Sequence, residues 1–136
     1  MNTVPLLDVQ SVSQAFRKPD GDQLVVLEGA AGIGKTRLLQ AARDHSANMA
    51  RNSRLDHFLE GKSPSDRARA AGYASSGVAE NIAWNQQSPT EVLKSWMSSS
   101  GHRANILNRG YTEIGIAVAV NSRGERYWTQ VFGQSR

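Results

Sequence analysis

The octapeptide Gly29-Ala30-Ala31-Gly32-Ile33-Gly34-Lys35-Thr36 satisfies the pattern G-x-x-x-x-G-K-[ST], whose chemistry is phosphate binding. Gly29, Gly32 and Gly34 would let backbone amides converge on phosphate oxygens. Lys35 would reach the terminal phosphates and Thr36 would ligate magnesium, so Mg-ATP or Mg-GTP is the ligand this loop implies. A working phosphate-loop hydrolase also needs a second strand ending in an acid for the metal. No later apolar strand ends that way, since the candidate Ile114–Val120 runs into Asn121. Hydrolysis is therefore not expected. Nucleotide binding stays open beside a plainer reading, in which the glycines only make a turn between a strand and a helix.

The remaining chemistry-bearing side chains are three histidines, His45, His57 and His102, among scattered carboxylates. Their separations along the chain impose nothing by themselves, and each taken alone reads as a satisfied structural residue. There are no cysteines, which excludes disulfides and thiolate metal sites. The net charge is +4, with three basic and four acidic side chains in residues 1–36 and thirteen and eight in residues 37–136. The arginines are dispersed as on a solvated face, without the dense basic run of a nucleic-acid binder. No stretch approaches the ~18 apolar residues of a membrane span. The start MNTVPLLDVQ lacks the basic and apolar regions of a signal peptide.

The elements that must position these groups follow from periodicity. Residues 5–28 read as a β-hairpin, turned at Lys18-Pro19-Asp20-Gly21-Asp22 and returning through Leu24-Val25-Val26-Leu27. A helix follows from about Lys35 to Asn52, with Leu38, Ala42, His45 and Met49 on one apolar stripe, so His45 reads as core. Ser63-Pro64-Ser65-Asp66 opens a short helix that Gly72 stops. Val78 to Trp84 alternates as a strand with Val78, Glu80, Ile82 and Trp84 on one face. Ser88-Pro89-Thr90-Glu91 is a second capping box before a helix that turns Val92, Leu93, Trp96 and Met97 inward and gives out at Ser98-Ser99-Ser100-Gly101. Arg103 and Asn105 are expected to tie the loop after it to neighbouring polar groups. A terminal hairpin runs Ile114–Val120, turns at Asn121-Ser122-Arg123-Gly124 and returns over Glu125–Phe132. Trp84, Trp96 and Trp128 read as packing residues. The order favours an α+β layered domain with a mainly antiparallel sheet.

From about Leu38 to Gly133 the chain resembles the bacterial branch of the CAP superfamily (cysteine-rich secretory proteins, antigen 5 and pathogenesis-related proteins). The resemblance rests on Ala41 to Ala50, Arg67 with Ala71-Gly72-Tyr73, Ala79-Glu80-Asn81-Ile82-Ala83, Ser88-Pro89, Trp96-Met97-Ser98, Gly101 to Leu107, Ile114-Gly115-Ile116 and Tyr127 to Gly133, all in the family's order. It implies an α-β-α sandwich with a surface cleft, where histidines and glutamates in many members hold a divalent metal. Carried over residue by residue, it places His57, Glu80 and His102 in that cleft, with Tyr127 at the rim. The second family glutamate is unmatched, with Ser99 near its place, and its second histidine falls at about Tyr127. Two imidazoles and a carboxylate would suit zinc, with water completing the shell, or could act as acid and base towards a polar ligand.

Residues 1–29 resemble the first hairpin of ABC-transporter ATPases, where an aromatic residue at the place of Phe16 stacks on adenine, and residues 24–43 resemble a phosphate-loop ATPase segment. The first helix of the CAP-like sandwich is thus expected to be replaced by an N-terminal hairpin and phosphate-loop-like turn in a recombined or engineered chain. Residues 1–36 would form that segment and 37–136 the CAP-like domain, in one compact folding unit. The leading expectation is a small-ligand or metal-binding module with a His/Glu cleft rather than an established enzyme. The alternatives are a nucleotide-binding protein using Phe16, Lys35 and Thr36, and a folded chain without evolved activity. The resemblance suggests a secreted protein, against which the absence of a leader stands.

Overall fold

A computed structural model describes residues 25–26, 37–74 and 77–134. Helix α1, Arg37–Asn52, forms where the apolar stripe predicts it, and Leu38, Ala42, His45 and Met49 are all buried. Helix α2, Pro64–Ala70, opens on a complete capping box: the Ser63 hydroxyl accepts the Asp66 N–H at 3.2 Å, and the Asp66 carboxylate accepts the Ser63 N–H at 3.0 Å. The box predicted for α3, Pro89–Met97, is half made. Ser88 accepts the Glu91 N–H at 3.1 Å, but the Glu91 carboxylate takes the N–H of Gln87 instead of Ser88, at 2.6 Å.

One expected loop is a helix. Residues Ser100–Leu107 form α4, although Ser98-Ser99-Ser100-Gly101 reads as a stop. The serines do end α3, but Ser99 then serves as the first residue of a new cap without any side-chain hydrogen bond. What holds α4 is tertiary: Ile106 enters the core, Arg103 donates to the Met97 carbonyl at 3.4 Å, and Asn105 donates to the Asn81 side chain at 2.9 Å. The expected tie is present, though on a helix.

Four strands, β1 (Val25–Val26), β2 (Val78–Trp84), β3 (Glu113–Val120) and β4 (Arg126–Gly133), form one sheet in the order β1-β3-β4-β2. Strands β3 and β4 make the predicted hairpin, closed by the Asn121 N–H to the Glu125 carbonyl, and β2 pairs antiparallel with β4. β1 adds two residues, parallel to β3. The rest of the predicted 5–28 hairpin and the loop Gly29–Thr36 lie outside the described residues.

Alternation along the strands divides the side chains between two layers. Towards α1 and α2 go Ala117, Ala119, Tyr127, Val131 and Ile82, packed with Leu38, Ala42, Met49, Ala68 and Tyr73. Towards α3 and α4 go Ile114, Ile116, Val118, Trp128 and Phe132, packed with Val92, Trp96 and Ile106. Gly115 sits where α1 crosses the sheet; a Cβ there would collide with the backbone of Leu38 and Leu39. Edge strand β2 gives the Ile82 carbonyl to the Trp96 indole N–H at 3.0 Å. Trp96 and Trp128 are packing residues as expected. Trp84 is not: at the end of an edge strand it is 45% exposed.

Candidate functional site

Glu80 lies mid-strand on β2, on the face towards α1 and α2, with its carboxylate almost fully buried. Burying a carboxylate requires partners, and Glu80 has them on both oxygens. Oε2 accepts from the Arg67 guanidinium at 2.8 Å, and Oε1 lies 3.0 Å from His57 Nδ1 and 3.6 Å from His45 Nε2. Arg67 comes from α2, a helix whose buried face is Arg67 and Ala68, so a cation with only 4% exposure reaches the strand.

His57 stands on the connection between α1 and α2. That segment ends in a tight reversal in which Leu59 and Lys62 exchange backbone hydrogen bonds across Glu60 and Gly61, both at positive φ as a type I′ turn requires. Further ties hold it down. Arg67 donates to the carbonyls of His57 at 2.7 Å and Lys62 at 2.8 Å, and His45 Nε2 meets the Asp56 carbonyl at 2.8 Å. The Asp56 carboxylate accepts the Phe58 N–H at 3.1 Å, turning the chain locally. With its backbone clamped and Nδ1 on Glu80, the His57 ring has one orientation. Its side chain is nevertheless 50% exposed, which leaves Nε2 for an incoming group.

The three imidazoles are tuned differently. The Glu80 hydrogen bond raises the pKa of His57 above the ordinary 6.5, against some desolvation. Burial lowers that of His45, which donates Nε2–H to the Asp56 carbonyl. His102, in the first turn of α4, is lowered by burial first and by the charge of His57 second. The pKa values of His57 and His102 are thus shifted in opposite directions.

Of the residues expected in the cleft, Glu80 and His57 are in direct contact, while His102 stands on α4 with its backbone carbonyl accepting from Asn81 at 3.1 Å. Tyr127 is not at an open rim. It is 3% exposed and packs with Leu59, Met49, Ile82 and Ala119 under the His57 segment, where burial raises its phenol pKa. The trio does not present a zinc donor set. Both Glu80 oxygens are engaged, one of them by a guanidinium, and among the described residues no three His, Cys, Asp or Glu side chains gather as a group that could hold a metal ion. Sequence reasoning left Arg67 without a role and placed His45 in the core without its carboxylate neighbour. The position of His45 on the stripe of α1 and the placement of Arg67 beside Ala68 on the inner face of α2 were the available signals.

Residues 35–132 match the family described as CAP, the cysteine-rich secretory protein family. The uncharacterized protein YkwD of Bacillus subtilis is 38% identical over 96 residues, 70% of this chain and 36% of its own length. The uncharacterized membrane protein YlbC of the same organism is 31% identical over 94 residues, 68% of this chain and 26% of its own. The chain therefore spans about a third or less of the curated relatives it matches. An outer surface protein of Borrelia burgdorferi superposes with a TM-score of 0.79 at 16% identity, covering 100% of both chains. An extracellular SCP-domain protein of Bacillus anthracis gives 0.72 at 22% identity, over 98% of this chain and 45% of that one. The family match accounts for residues 35–132 and lends nothing to the ABC-ATPase, phosphate-loop or joined-parents readings of the segment before it. With its layered sheet, its edge-strand glutamate and this match over most of its length, and without a single cysteine, the chain belongs to the CAP family.

Proposed function

We propose that this chain is a binding domain that takes a small polar ligand between His57 and His102, along the edge of β2. The supporting observation is the commitment of the buried Glu80 carboxylate to Arg67 at 2.8 Å and to His57 Nδ1 at 3.0 Å. That arrangement fixes the His57 ring, neutralises the carboxylate and turns Nε2 outward. With the pKa of His57 raised and that of His102 lowered, the pair suits a ligand that accepts a hydrogen bond from the first ring and donates one to the second. A hydroxyl or carboxyl group suits that pair. Two solved neighbours are named as an outer surface and an extracellular protein, and no described helix is long and apolar enough to cross a membrane; both fit work outside the cytoplasm.

Thermal unfolding of the full chain with a panel of small hydroxy acids and sugars tests this reading. A ligand at 100 times its Kd should stabilise the wild type by about 2.7 kcal/mol. His57→Ala and His102→Ala should each abolish that gain. Stabilisation that survives both variants would move the site elsewhere. Zinc stabilisation lost in the same variants would show that Glu80 releases Arg67 to become a ligand. Stabilisation by Mg-ATP that disappears in Lys35→Ala would favour the 29–36 loop instead.

A further inference from the structure

Consecutive residues of a strand point to opposite faces of its sheet. On edge strand β2 this puts Glu80 in the layer of α1 and α2 and Asn81 in the layer of α3 and α4, and the two histidines come from those same two layers. Glu80 holds the side chain of His57. Asn81 holds the backbone of His102: its Nδ2 donates to the His102 carbonyl at 3.1 Å and to Gln130 Oε1 at 2.9 Å, while its Oδ1 accepts from Asn105 Nδ2 at 2.9 Å. Both amide N–H groups and the amide oxygen of Asn81 are used, and Asn81 and Gln130 are fully buried. Gln130 Nε2 has no partner among the described residues, so Asn81 is the neighbour that orients its amide. The first turn of α4 has no hydroxyl cap from Ser99, and its side-chain anchors are the Asn81 and Asn105 bonds together with Arg103 on the Met97 carbonyl.

We infer that Asn81 is a positioning residue: through the His102 carbonyl it sets where that imidazole stands relative to His57, so that the Glu80–Asn81 step of the edge strand fixes the gap between the two rings. The inference rests on the shared cleft proposed above. Removing the Asn81 amide would leave the Gln130 oxygen and the Asn105 amide short of partners and would cut the tie of the His102 carbonyl to β2, leaving that carbonyl only its bond within α4. Glu80, Arg67 and Asp56, the charged groups facing His57, would stay in place.

The test is an NMR titration of the histidine ring signals of the full chain over about pH 5 to 9. In Asn81→Ala, the midpoint of His102 should move up towards that of a free imidazole while that of His57 keeps its place. Asn105→Ala removes only the bond onto Asn81 Oδ1 and should move His102 the same way by less. A folded Asn81→Ala with an unmoved His102 would overturn the inference, as would His57 and His102 shifting together through general loosening. If Asn81→Ala does not fold, Asn105→Ala decides alone, and an unmoved His102 there sinks the idea. His57→Ala separates the two levels of argument. A His102 midpoint that ignores it ends the shared-cleft reading itself. A midpoint that responds, alongside silent Asn81 and Asn105 variants, ends only the role given to Asn81.

Discussion

At the scale of single residues, the site is a problem in charge balance. A buried carboxylate and a buried guanidinium at 2.8 Å offset each other, but removal of either leaves the survivor uncompensated. Arg67→Met keeps the apolar stem and deletes the charge together with the ties to His57 and Lys62, so urea unfolding should show a loss of about 3–5 kcal/mol. An unchanged midpoint would mean that water or His57 already compensates Glu80. The pH dependence has two opposing parts. His57, raised by Glu80, contributes stability that is complete below 6.5 and is lost as pH climbs through its higher folded value. His45, lowered by burial, contributes stability that is present above 6.5 and is lost as pH falls through its folded value. His57→Ala should therefore destabilise the protein more at about pH 5 than at about pH 8, measured by urea unfolding at each. Equal losses at both would show that the Glu80 bond does not favour the imidazolium.

At the scale of elements, local rules and tertiary contacts share the work unequally. The α2 box satisfies two backbone N–H groups reciprocally, and it stands next to Lys62, whose carbonyl Arg67 holds. Ser63→Ala should cost about 1 kcal/mol in chemical unfolding. Gly115→Ala should cost more, at or above the ~1–3 kcal/mol of overpacking, because the added methyl meets helix backbone rather than a side chain that can swing away. A Gly115→Ala protein as stable as wild type would show that α1 can lift off β3. These elements also show what was legible from sequence. Caps at Ser63 and Ser88, the stripe of α1 and the β3–β4 hairpin are local patterns, and they stand where expected, although Glu91 closes its box one residue early. Helix α4 is different. Its serine-rich start lacks a hydroxyl cap, and contacts made by Asn81, far away in the chain, hold it. Only the resemblance picked out His57, Glu80 and His102. Nothing local could reveal that Arg67 and His45 meet at Glu80 while the His102 carbonyl and Asn105 meet at Asn81, because that meeting is set by how the layers close.

At the scale of the molecule, one sheet serves two cores, and the edge strand is where the layers meet the site. The order of elements made a layered α+β domain readable and the resemblance implied the sandwich; strands β3 and β4, buried on both faces, are where it is covered from both sides. The register was not readable, and it is the register that sets Glu80 opposite Val131 and Asn81 opposite Gln130. A one-residue slip of β2 would send the carboxylate into the α3 layer and the amide into the α1 layer. Pairing and packing therefore enforce each other, and the two layers should not melt separately. The layers carry distinct optical probes. Trp96 and Trp128 lie in the α3 and α4 layer, whereas two of the three tyrosines, Tyr73 and Tyr127, lie in the α1 and α2 layer and Tyr111 packs against Phe132 in the other. Tryptophan fluorescence, tyrosine absorbance and far-ultraviolet circular dichroism should give one common urea midpoint, as a two-state domain requires. An earlier midpoint for the tyrosines would mean that α1 and α2 leave the sheet before it unpairs. In that case His57 would be released while His102 was still in place, and Glu80 and Asn81 would not act as a single clamp.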